Sequence, residues 1–384
     1  MRIDAYTHFI PEKFFDAIVA SGHPGIGKRV REIPCIHDLD ARKKVVDTFP
    51  DYAQILSHGM PPLEALAKGE QIAHYAKLIN DGFADICAKH RDHFPGWVAQ
   101  SALGAPDAGV AETERAIKNG ALGVQIYTNV AGRPLDEPEF EPFFETMNRL
   151  NKPIWLHPAR AANFPDYLSE KKSKYEIWWA FGWSYETAAA MARLVFSKIL
   201  DKYPNLKIIT HHFGGIVPML EGRIGPGWDQ LGARTSDEDL HALLGQLKKR
   251  PLDYFKHDFY ADTAAFGGVP ATRCGLAFYD LDKIVFASDC PFDPEKGINM
   301  AGNGNLVRVV LSPGETCSLR GPLPAELIND MTSCKHASAP RMVDPWSTCC
   351  PDIEIGQLNG YICDDKPHQS AIAPSFPGRI VLVL

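Results

Sequence analysis

The 384-residue chain contains no stretch that approaches the 18 or so consecutive apolar residues of a membrane span. Its N-terminus, Met-Arg-Ile-Asp-Ala-Tyr-Thr-His, lacks the apolar core of a secretory signal. A cytoplasmic protein is therefore expected. An excess of basic charge is also missing: the net charge of -7 leaves no electrostatic footprint for nucleic acid or an acidic membrane, so neither is an expected partner. The nine cysteines contain no Cys-x-x-Cys pair, which argues against a zinc ribbon, and they are too sparse for a disulfide scaffold. Five of them (Cys317, Cys334, Cys349, Cys350 and Cys363) crowd into the C-terminal region.

Short apolar runs interleaved with helical periodicity fill residues 1 to about 290. The runs read as strands over 3–8, 52–57, 96–100, 122–127, 153–157, 207–211, 258–262 and 284–288. Helical spacing covers 71–90, 139–150, 184–200 and 237–247. Eight strands alternating with helices, in a segment near the usual 250 residues, predict a (β/α)₈ barrel within the α/β class. Insertions at 23–39 and 158–183 interrupt the rhythm. The second carries Phe164, Tyr167, Tyr175, Trp178, Trp179, Phe181 and Trp183, which suits either a packed cap or a lid over a flat ligand. The expected organisation is a barrel domain over 1–297 and an irregular tail over 298–384. There Gly302-Asn303-Gly304-Asn305 stands where a closing helix belongs, as a change of reading frame near 298 would produce.

Four of the runs end on residues that bind metals or move protons: His8, His157, the pair His211-His212, and Asp289. Each alone is compatible with a hydrogen-bonded core residue. Together, at the C-terminal ends of barrel strands, they point to a metal-dependent active site. Imidazole and carboxylate donors suit zinc, manganese or iron. Adjacent strand residues face opposite ways, so only one of His211 and His212 is expected to enter the barrel; the other packs or orients. The glycines of Phe213-Gly214-Gly215 permit a tight turn and close substrate approach.

The segments Asp4-Ala-Tyr-Thr-His8-Phe-Ile-Pro11, Gly123-Val-Gln-Ile-Tyr-Thr128, Leu156-His157-Pro158, His212-Phe-Gly-Gly-Ile-Val-Pro218 and Ser288-Asp289-Cys-Pro-Phe292 resemble those of the amidohydrolase-related decarboxylases. Within that group the resemblance is to the 2-amino-3-carboxymuconate-6-semialdehyde, resorcylate and dihydroxybenzoate decarboxylases, over about residues 1–297. It implies a (β/α)₈ barrel holding one divalent ion, zinc first and manganese as the alternative. It further implies His8, His157 and Asp289 as ligands, His212 as catalytic acid–base, and Asp289 assisting proton movement. Arg42 and Arg223 would hold substrate carboxylates, a task suited to the planar guanidinium fork. His211 falls in a position beside the ligands. Tyr6 stands where the group commonly has His or Glu, and a neutral phenol binds metal only after losing a proton near pH 10.

The implied activity is non-oxidative loss of carbon dioxide from a planar aromatic or unsaturated carboxylic acid, by a homodimer or larger homo-oligomer. Hydrolysis or hydration of a cyclic or unsaturated carboxylate would use the same ligands. An inactive relative is the third reading, motivated by Tyr6 and the tail.

Overall fold

A computed structural model describes residues 2–22 and 28–292; the tail expected over 298–384, with its five cysteines, lies outside them. The strands are β1 Arg2–His8, β2 Tyr52–Ser57, β3 Gly96–Trp97, β4 Ala99–Gln100, β5 Val124–Tyr127, β6 Asn129–Val130, β7 Arg133–Pro134, β8 Pro153–His157, β9 Lys207–Thr210, β10 Phe259–Asp262 and β11 Ile284–Val285. β6 and β7 form a small antiparallel hairpin; the other pairings are parallel, in the runs β1-β2-β3 and β4-β5-β8-β9-β10-β11. β3 and β4 are two halves of one stave, separated by Val98 alone.

Closure follows from the backbone. Ala5 N donates to Phe286 O at 2.8 Å and His8 N donates to Cys290 O at 2.7 Å, joining the first stave to the last. The result is the predicted eight-stave parallel barrel. The last stave carries regular strand pairing only over 284–285, shorter than the 284–288 expected, and continues as an irregular ribbon against β1.

Why the barrel fills itself is visible in the period of two. Tyr6, Ile55, Val98, Trp155, Ile209, Tyr260 and Ala287, one from each of seven staves, form a buried cluster inside. The opposite faces of the strands pack against the helices in a separate core that includes Leu56, Val124, Ile154, Leu156, Ile208 and Phe259.

The helices are α1 Glu12–Ala20, α2 Lys28–Glu32, α3 Leu39–Asp47, α4 Glu70–Lys89, α5 Pro106–Lys118, α6 Glu141–Leu150, α7 Ile177–Ala180, α8 Gly182–Phe196, α9 Ile199–Lys202, α10 Glu221–Trp228, α11 Leu240–Leu244, α12 Pro251–His257 and α13 Val269–Phe278. α4 buries Ile72, Tyr75, Ala76, Ile79 and Phe83, the 3–4 spacing that places one helix face on the sheet. Two expected helices are shorter than their periodicity suggests. The 184–200 pattern breaks into α8 and α9 because Lys198 adopts a left-handed φ of 65°. The 237–247 pattern keeps only α11, started by Asp239 accepting from Ala242 N at 3.2 Å. No helix among the described residues is long and apolar enough to cross a membrane.

Asp4 fastens the closure from below. Its carboxylate accepts from Tyr52 Oη at 2.6 Å, from Ser288 N at 3.0 Å and from the Ser288 hydroxyl. Burial nevertheless raises its pKa to about 6, against the pull of those donors. A carboxyl raised on folding contributes stability that is present below its unfolded value of 3.8 and is lost as pH rises through 6. The difference in unfolding free energy between wild type and Asp4→Asn, measured by urea titration, should therefore move against the wild type between those two pH values; a pH-independent difference would contradict this assignment.

Candidate metal centre

Two residues beyond the barrel-filling side chains, on the same inward face, lie the chemistry-bearing ones. His8 follows Tyr6 in this way, His157 follows Trp155, His211 follows Ile209, Asp262 follows Tyr260 and Asp289 follows Ala287. The strand period thus stacks a polar layer directly above the apolar one, at the C-terminal mouth. All five are buried.

Ligand-type atoms of His8, His157 and His211 lie within 4.8 Å of one another, and so do those of His211, His212 and Asp289. His8 Nε2 is 2.9 Å from Asp289 Oδ1, His211 Nε2 is 3.3 Å from the same oxygen, and His212 Nε2 is 3.6 Å from Oδ2. The Nδ1 atoms point outward to fixed partners: Ser57 Oγ for His8 at 3.1 Å, Pro158 O for His157 at 2.7 Å, and Asp262 Oδ2 for His211 at 2.5 Å. Such outer partners orient imidazoles so that Nε2 faces a shared ion.

The donor set fits a divalent cation. His8 Nε2 is buried with no well-directed hydrogen bond, despite the nearby carboxylate. A buried imidazole nitrogen beside a carboxylate and two further imidazoles belongs to the donor set of a nitrogen–oxygen metal site.

Electrostatics follows the crowding. Burial lowers the pKa values of His8 and His157, the latter further by its histidine neighbours, so both favour the neutral, metal-binding form. Burial also opposes charge on His211, but Asp262 and Asp289 outweigh it and hold the ring up at about 9. Asp289 would be raised by burial; its hydrogen bonds with His211, His212 and His8 hold it well below the ordinary carboxylate range.

His211 and His212 correct the expectation that only one of two adjacent residues enters the barrel. Both rings face the mouth, with centroids 3.7 Å apart. The strand ends at Thr210, and the chain then turns through positive φ at His212 (55°), Phe213 (53°), Gly214 (71°) and Gly215 (66°). That left-handed turn rotates His212 back to the same side. Asp262 Oδ1 holds it by accepting from His212 N at 2.9 Å. Both glycines are required: a Cβ on Gly214 would meet Tyr279 Oη at 2.2 Å, and one on Gly215 would meet Ser184 O at 2.4 Å. Non-glycine residues in this region carry strain of about 1–3 kcal/mol each, a cost that concentrates at functional sites.

Tyr6 is fully buried, its hydroxyl donating to Gln125 Oε1 at 2.9 Å and its ring 4.3 Å from that of His211. Burial pushes its pKa well above the usual phenol value. It packs beneath the cluster as a neutral side chain.

The two arginines stand apart from the cluster. Arg42 has no exposed surface; it donates to Cys290 Sγ at 2.6 Å and to the backbone oxygen of His8. It clamps the first stave to the last and does not present its fork to a substrate in this conformation. Arg223 is exposed in the first turn of α10 and forms no ion pair among the described residues. The cluster therefore includes neither.

Two residues escaped the sequence reading. Asp262 ends an apolar run as Asp289 does, so the same criterion would have found it. Arg160, three residues beyond His157, is partly buried, with Glu186 at 3.8 Å as its ion-pair partner. Its guanidinium also donates to Pro165 O at 3.3 Å and lies 5.4 Å from the centroid of the Phe164 ring. The 158–183 insertion is part roof and part surface: Trp183 lies 5.7 Å from the His157 ring and donates to Arg160 O at 2.9 Å, while Tyr167, Tyr175 and Phe181 are exposed.

Asp262→Asn should lower metal affinity by about 10–100-fold, because the partner that aims His211 is weakened. Metal content after dialysis against graded chelator measures it, and unchanged retention would contradict the role.

The profile of the Amidohydrolase family matches residues 3–315. A gamma-resorcylate decarboxylase of Rhodococcus jostii (strain RHA1) is 30% identical over 307 residues, 76% of this chain and 88% of that protein. The 2-amino-3-carboxymuconate-6-semialdehyde decarboxylase of Dictyostelium discoideum is 26% identical, covering 76% and 82% respectively. Among solved structures, a dihydroxybenzoic acid decarboxylase of Polaromonas sp. JS666, with bound manganese and the inhibitor 2-nitroresorcinol, is similar with a TM-score of 0.61 at 26% identity. That likeness covers 76% of this chain and 87% of the other. With this barrel and this cluster at its mouth, the chain belongs to the amidohydrolase family.

Proposed function

We propose that the protein is a metal-dependent, non-oxidative decarboxylase of a planar aromatic or unsaturated carboxylic acid. The observation that carries the reading is His212. Its Nε2 is buried without a directed hydrogen bond, beside Asp289 but outside the His8, His157 and His211 trio. With His8, His157 and Asp289 assigned to the ion, His212 is left to handle the proton, 3.6 Å from Asp289 Oδ2. The decarboxylase names of the relatives support the same reaction class.

His8, His157 and Asp289 would hold one divalent ion, with His211 beside them. Zinc is proposed on the donor chemistry; manganese, present in the Polaromonas relative, is the alternative. When bound, the ion would act as a Lewis acid toward substrate oxygens. His212 would give its proton to the ring carbon as the bond to the carboxylate breaks and carbon dioxide leaves. Burial and the neighbouring His211 lower the His212 pKa, which eases that release. Asp289 Oδ2 would relay a proton from solvent to recharge His212 between turnovers. Arg160 is proposed as the carboxylate anchor ahead of Arg42, since it follows His157 by three residues and its Glu186 pairing is long. Arg223 keeps a proposed contact with the outer part of the substrate. Trp183 would exclude water above the ligands.

A homodimer in the cytoplasm is proposed with this activity. Exposed Tyr167, Leu168, Tyr175 and Phe181 form apolar surface of the kind that association covers.

Metal-loaded protein should release carbon dioxide from 2,6-dihydroxybenzoate or another of a panel of hydroxybenzoates and carboxymuconates. Incorporation of solvent oxygen into product without carbon dioxide would overturn the proposal in favour of hydrolysis. His212→Gln should keep its metal yet lose about 100-fold or more in kcat, the usual scale for removing a general acid–base. Arg160→Met should act mainly on KM.

A further inference from the structure

The opposite, N-terminal face of the barrel carries a cleft of about 330 Å³ lined by the starts of three staves and the loops before them. Register explains its charge. Lys207 opens β9 opposite Pro153 of β8, one residue beyond the level of Lys152 on the neighbouring stave. Ala261 pairs with Ile284, which sets Lys283 level with Tyr260.

The carboxylates in the lining are already engaged. Asp258 takes Lys249 Nζ at 2.7 and 2.8 Å. Asp201 accepts from Tyr254 Oη at 2.6 Å and from Lys248 N at 3.2 Å. Lys207 and Lys283 have only neutral partners among the described residues: Asn151 Oδ1 at 2.9 Å, and the Tyr260 hydroxyl at 3.3 Å with its ring centroid at 4.4 Å. In a chain of net charge -7, two ammonium groups in one cleft that no carboxylate of the lining engages are an electrostatic excess that an anion would relieve. Burial, then Lys152 and Lys283, depress the pKa of Lys207, a direct sign of that crowding.

We infer that this cleft binds a small dianion of phosphoryl or dicarboxylate chemistry, held between Lys207 and Lys283. Ammonium groups serve as point charges for such ligands and require no fixed fork. The dianion would tie β9 to β11, the staves that lead at their other ends to His211 and Asp289. The inference does not depend on the reaction at that mouth.

Lysine acetylation of the full chain, read by mass spectrometry, tests it. Sodium phosphate or succinate should slow labelling of Lys207 and Lys283 several-fold relative to sodium chloride at equal ionic strength, and leave exposed Lys13 unchanged. Stronger protection by phosphate identifies a phosphoryl ligand, and stronger protection by succinate a dicarboxylate. Calorimetric titration with the protecting anion should weaken about tenfold in Lys207→Met or Lys283→Met, while Lys207→Arg, which keeps the charge, retains binding. Equal labelling in chloride, phosphate and succinate would overturn the inference. Unchanged affinity in the methionine variants would overturn it too, by moving any bound anion to another site.

Discussion

Two backbone hydrogen bonds, Ala5 N to Phe286 O and His8 N to Cys290 O, join the first stave to the last, and the ligand distances at the metal centre depend on them. His8 and Asp289 lie at nearly opposite ends of the described chain and meet only because the sheet closes between them. The closure is reinforced from both sides. Asp4 receives Ser288 and Tyr52 from below, and Arg42 reaches His8 O and Cys290 Sγ from outside. A buried guanidinium is expensive; here its two terminal nitrogens donate to backbone oxygen and sulfur at the seam.

Above that seam a single carboxylate organises the cluster. Asp289 faces His8, His211 and His212, and Asp262 supports the last two from the neighbouring stave. The arrangement separates two tasks that the same residue type could perform. His8, His157 and His211 have their Nδ1 atoms fixed and their Nε2 atoms gathered. His212 is set aside by a strained turn. Under the proposed function, metal binding and proton handling thereby fall to different imidazoles.

Most of the barrel was legible in the residues because parallel strands buried on both faces read as apolar runs and helices as 3.6-residue periodicity. The ligand layer was legible for a related reason: a polar residue that ends an apolar run has few structural explanations. Helix lengths were overestimated where a local backbone event intervened, as at Lys198, which periodicity does not register. The seam contacts of Arg42 were not legible, because an arginine in a helix gives no sign of what its tip meets.

The sequence by itself determined the strand and helix order, the family, and the identities of the residues that end the staves. Those depend on residue type and period, which are local. Tertiary structure decided that the barrel closes between Asp4 and Ser288, that His211 and His212 both face inward, that Asp262 belongs to the site, and that Arg42 does not open to it. It also decided that lysines from separate staves share one cleft at the far end. Each of these depends on a turn angle or a register between distant segments, and neither is written in the spacing of residues along one strand.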